Sequence, residues 1–144
     1  PRAGGHVQAL LVRCGTGRVL GTDFFYLPSG FGGMLVAESL VQALRWVNPV
    51  WEPNFLHAVE KLAQRKGLAK CDAENLRDAY SFLRACESVL RRWQLRSVST
   101  LPVTYEEEVR FARRLKFARI EDFRAPYGRA RETIRLLRTR YLVE

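Results

Sequence analysis

No two aspartates of this sequence stand in a D-x-D, no G-x-x-x-x-G-K-[ST] loop occurs, and the cysteines show no C-x-x-C. The first absence removes the usual way of holding Mg²⁺ for nucleotidyl transfer, which needs two neighbouring carboxylates. The second removes a phosphate cradle of the P-loop kind. Cys14, Cys71 and Cys86 are odd in number and scattered, which suits reduced thiols better than a disulfide framework. His6 and His57 stand apart from any cysteine or carboxylate cluster, so the sequence gives no metal site. Neither histidine lies in a nucleophile motif with any of the serines, and no catalytic residue is nominated. No apolar run approaches the roughly 18 residues of a membrane span, and PRAGGHVQAL does not read as a signal peptide. These features give a cytoplasmic protein as the expectation. The opening on Pro1 is that of a processed chain or of a piece of something longer.

What is present fits one globular domain: 144 residues, 47% hydrophobic and 27% charged, with a net charge of +9. That charge suggests an anionic partner, such as nucleic acid, nucleotide phosphates or an acidic protein. The charges interleave with glutamate, as in EEEVRFARRLK and RARETIRLLR, and no aromatic interrupts a basic block. A nucleic-acid surface is therefore the weaker alternative.

The chain reads as mainly α: a bundle of about five helices (30–144) after a short N-terminal β-hairpin (1–29). Residues 6–13 and 18–27 are apolar runs around the turn CGTG, and PSGFGG then changes the period. MLVAESLVQALRWVN (34–48) is apolar almost all round, as the centre of a bundle is. Asn54 caps a second helix, Phe55 to Lys66, with Gly67 as its stop. Asp72 opens the third and longest, with Leu76, Ala79, Tyr80, Leu83, Cys86 and Leu90 inward. Thr104 and Glu107 form a T-x-x-E box for a fourth, and Glu106–Glu108 suit its N-terminal end. Phe123, Tyr127, Ala130, Ile134, Leu137 and Tyr141 make a heptad seam, to be closed by a helix of the same bundle or by a second protein. Pro126 predicts a kink, or a helix that starts there.

Five stretches in order resemble the glutamine synthetase adenylyltransferase family. GGMLVAESLVQ (32–42) is similar to its GG-[IL]-x-[DE]-[IL]-E-F-x-VQ motif. Residues 52–84 resemble its PNTLEAL…GLL…AYxFLR passage, and AYSFLRACESVLRRWQLRSVSTLP (79–102) its AYxFLRRxEHRLQ…THTLP. VTYEEEVRFARRLKF and RARETIRLLRTRYL match its closing helices in type and order. The likeness runs over about residues 23–144.

The resemblance implies a helical, non-catalytic domain that positions a substrate or partner beside a nucleotidyltransferase domain, in the same or a partner chain. In that family a nucleotidyltransferase domain followed by such a helical domain transfers AMP from ATP to a tyrosine of glutamine synthetase, and a second copy of the pair removes it, under nitrogen-status control through a PII protein. ATP and Mg²⁺ are thus expected only with the catalytic domain, and glutamine synthetase or a PII-type regulator as a partner. The positions carried over are Gly32, Gly33, Glu38, Gln42, Asn54, Arg84 and Glu87. HVQALLVR aligns with that domain's VDxRLRP strand, with Gln8 at the aspartate. Val36, Val89, Arg91 and Ser99 replace polar or acidic motif residues, as in a relaxed or repurposed site. Glu38, on a mostly apolar helix, needs a partner when buried, and Arg84 or another arginine of the third helix is the candidate. Glu87 and Arg91 form an i,i+4 pair. Both glutamates read as clips between helices rather than ligands.

Overall fold

The structure is a computed structural model and describes residues 32–95, 101–102 and 104–142. The hairpin at 1–29, its Gln8, and Ser99 lie outside the described residues, so the 1–29/30–144 division is not decided by the fold. Five helices make up the described part: α1 Gly32–Val47, α2 Phe55–Gln64, α3 Lys70–Gln94, α4 Tyr105–Arg114 and α5 Ile120–Leu142.

Helices α1, α3 and α5 pack against one another, and α3 with α5 makes the most extensive of these contacts. At about 1.5 Å per residue these two run roughly 35 Å, the length of the bundle. The short helices close its flanks: α2 leans on α1 and α3, and α4 on α3 and α5. The seam read from the sequence is spent inside the chain. Phe123, Tyr127, Ala130, Ile134 and Leu137 are buried, and Tyr141 is half-buried. They meet Leu76, Leu83 and Leu90 of α3 and Leu40 and Leu44 of α1 in one continuous core. Gly33 lets the first turn of α1 approach closely, because a Cβ there would stand 2.9 Å from Leu83 Cδ1. Under α4 the core is aromatic: Phe111 meets Phe123 edge-on at 5.4 Å, and Phe117 lies 5.9 Å from Phe123.

The ends of the helices follow side-chain chemistry. Asn54 accepts from the His57 N–H (3.2 Å) and starts α2, and Thr104 Oγ1 accepts from the Glu107 N–H (3.4 Å) and starts α4. Three expectations are corrected here. The residue that ends α2 in the left-handed conformation is Lys66 (φ 59°), not Gly67. Gly67 is required for room instead, since its Cβ would meet the Asn48 amide at 2.6 Å. Helix α3 begins at Lys70 rather than Asp72, placing Asp72 within its first turn, where it is buried. Helix α5 begins at Ile120 and continues through Pro126, so it does not start there. The missing proline N–H leaves the Asp122 carbonyl without its helical donor near the helix start.

Candidate functional site

Most of the carried-over motif positions gather on α1, the start of α2 and the middle of α3. Glu38 is half-buried, and its partner is not Arg84. Glu38 Oε1 accepts from the Tyr80 hydroxyl at 2.9 Å. Tyr80 in turn stacks on Phe55 at 3.8 Å between ring centroids, so α1, α2 and α3 meet at one phenol. Burial, and then the Glu38 carboxylate, push the Tyr80 hydroxyl up to about 12, which keeps it a hydrogen-bond donor at neutral pH. The reason for the mispairing is local. Arg84 is taken by Glu87 on its own helix (Nη1 to Oε2, 2.8 Å).

Glu87 is only 5% exposed, and its second oxygen receives Arg91 Nη2 at 2.7 Å, the i,i+4 pair read from the sequence. Both carboxylate oxygens are thus bound by cations, the condition under which a buried carboxylate is tolerated. Glu38 accordingly ties α1 to α3, whereas Glu87, with Arg84 and Arg91 both on α3, is a clip within one helix and not the link between helices expected from the sequence. Asn54 is a helix cap, Gly33 a close-packing position, and Gly32 the first residue of α1.

Gln42 is exposed, as Asn54 and Arg84 are, and lies on an outward stripe of α1. It lies seven residues after Leu35 and four before Trp46, one stripe of α1. Leu35 and Trp46 are exposed, Trp46 at 68%. The stripe runs into a groove of about 480 Å³ lined by Gln42, Arg45, Trp46, Pro49, Val50 and Trp51. Trp51, at 91%, is the most exposed large hydrophobic side chain among the described residues. The groove is held open by Arg45 Nε on the Val50 carbonyl (3.2 Å) and Arg65 Nη1 on the Pro49 carbonyl (2.6 Å). Two indoles beside a proline, 46 and 51, were the available sequence signal for this face.

A second polar cluster escaped the sequence reading. Asp72 binds Arg140 Nη1 and the Tyr141 hydroxyl, each at 2.7 Å, and that hydroxyl accepts from the Ala69 N–H at 3.1 Å. The clasp ties the first turn of α3 to the last of α5. Among the described residues, no group of three His, Cys, Asp or Glu could hold a metal ion, and no helix is long and apolar enough to cross a membrane. Cys86 is buried, and burial pushes its thiol up to about 12, while Cys71 is exposed.

Comparison with known families gives one decisive result: GlnD PII-uridylyltransferase matches residues 27–142. The chain belongs to this family. The match covers all five helices and both polar clusters, and identifies a helical domain associated with nucleotidyltransferases. It agrees with the class of protein that the five motifs resemble, but names PII uridylylation rather than glutamine synthetase adenylylation. No curated protein and no solved structure matches the chain.

Proposed function

We propose that this family member is a non-catalytic positioning domain, which docks beside a nucleotidyltransferase domain of the same or a partner chain and presents a protein substrate to it. One observation carries the reading. The motif carboxylates are occupied by internal partners, whereas the motif residue Gln42 opens on an uncovered stripe with Leu35, Trp46 and Trp51. Exposed aromatic anchors beside a groove are what central interface contacts are made of. The nucleoside triphosphate and Mg²⁺ belong, in this proposal, to the partner domain. A PII-type protein is the favoured acceptor because the matching family carries that activity in its name, and glutamine synthetase is the finer reading suggested by the motif resemblance. The cytoplasm is the proposed setting.

The arginines weaken the nucleic-acid alternative. Arg84, Arg91, Arg124, Arg135 and Arg140 each lie within 2.6–2.8 Å of a carboxylate oxygen. The test is titration calorimetry of the chain against a nucleotidyltransferase domain encoded in the same gene or in a partner's. Trp46→Ala with Trp51→Ala weakens binding by about thirtyfold or more, as hot-spot truncations do. Unchanged affinity overturns the docking face, and nucleotide transfer by this chain alone to PII or glutamine synthetase overturns the non-catalytic role.

A further inference from the structure

Arg92 and Arg114, from two helices, line one pocket with the Trp93 indole, and among the described residues no carboxylate lines it. Arg92 in the last turn of α3, Trp93 beside it, and Arg114 ending α4 line a pocket of about 260 Å³ together with Val89. The Arg114 guanidinium carbon lies 5.2 Å from the Trp93 ring centroid. Trp93 is fixed from below by Phe111, with the rings 13° from parallel and their centroids 6.4 Å apart. Arg92 uses only Nε, on the Ser88 carbonyl at 3.2 Å. Both terminal nitrogens of Arg92 and the whole donor fork of Arg114 are left without an acceptor among the described residues. This contrasts with the five arginines named above, each bound to a carboxylate. Cations in a last turn do complement the helix dipole. The dipole does not, however, bring two of them from different helices to the rim of one pocket, where they repel.

We propose that Arg92, Trp93 and Arg114 form a binding site for a phosphoryl dianion. Two planar forks match phosphate oxygens in paired hydrogen bonds, and the doubly negative charge offsets both guanidinium groups. The volume admits one phosphoryl group. Free phosphate and the phosphate of a mononucleotide share this chemistry.

The test follows the three indole N–H signals of the full ¹⁵N-labelled chain, assigned with Trp46→Phe and Trp51→Phe. Inorganic phosphate is added against sodium chloride at constant ionic strength. The expected result is a saturable shift at Trp93 with Trp46 and Trp51 unmoved. Arg92→Gln and Arg114→Gln each weaken it about tenfold or more, with unchanged melting temperatures, as loss of a charged hydrogen-bond donor does. A parallel titration with AMP separates the sources: tighter binding than phosphate points to a nucleotide, and equal or weaker binding to the free anion. A shift that does not saturate, that moves all three indoles alike, or that survives both arginine substitutions overturns the site.

Discussion

Replacing Asp72 by alanine should cost more than any other single polar change in the bundle. Its carboxylate is 5% exposed and receives two donors at 2.7 Å. The two bonds are unequal. The Arg140 side chain is 63% exposed, so solvent screens that ion pair and leaves it the smaller share. The Tyr141 hydroxyl is half-buried, and a hydrogen bond to a charged acceptor there contributes about 1.5–3 kcal/mol. A loss of about 2–3 kcal/mol is expected, which lowers Tm by about 7–10 °C in a domain of this size. Asp72→Asn keeps an acceptor for Tyr141 and removes the charge, and should lose about half as much. The assay is thermal unfolding by circular dichroism in a double-mutant cycle with Tyr141→Phe, where a coupling of about 1–2 kcal/mol is expected. Strict additivity, or a loss below about 0.5 kcal/mol for Asp72→Ala, refutes the clasp as a stabilising contact.

Glu38→Ala and Tyr80→Phe each remove one side of the bond between α1 and α3, and each should lower stability by about 1 kcal/mol in urea unfolding while leaving partner affinity within about twofold. Gly33→Ala improves helix propensity by about 1 kcal/mol but drives a methyl toward the fully buried Leu83, so a net loss of about 1 kcal/mol is expected in the same assay. For alkaline pH the sign follows from proton binding. Tyr80 and Cys86 keep their protons to about 12 when folded, against ordinary values of 10.0 and 9.0. Their contribution is complete below the ordinary values and is lost as pH rises toward 12, because only the unfolded chain gives up the protons. Stability measured from pH 8 to 11 should fall, and Cys86→Ala should make the fall shallower; an unchanged slope counts against burial of the thiol.

The elements that depend on neighbouring residues were legible in the sequence. Asn54 and Thr104 announce their helices because a cap acts over three residues, and the α5 seam announces its buried face because burial repeats every turn. Partners distant in sequence were not. Asp72 reads as a helix opener, since nothing nearby tells that residues 140 and 141 will come to it. Tyr80 reads as one more apolar position of α3, since spacing reports burial and not the hydroxyl that finds Glu38. The exposed indoles of α1 and its following turn went unremarked because an aromatic on a helix is ordinarily counted toward the core.

The contact between Gly67 and Asn48 has an evolutionary corollary. The amide of Asn48 donates to the Leu44 carbonyl at 3.1 Å and fills the space that a methyl group on residue 67 would need. A side chain at 67 needs room made at 48, whereas 48 can shrink on its own. Lineages that acquire a side chain at 67 should carry a smaller residue at 48, so an alignment of homologous chains should show these two columns changing together.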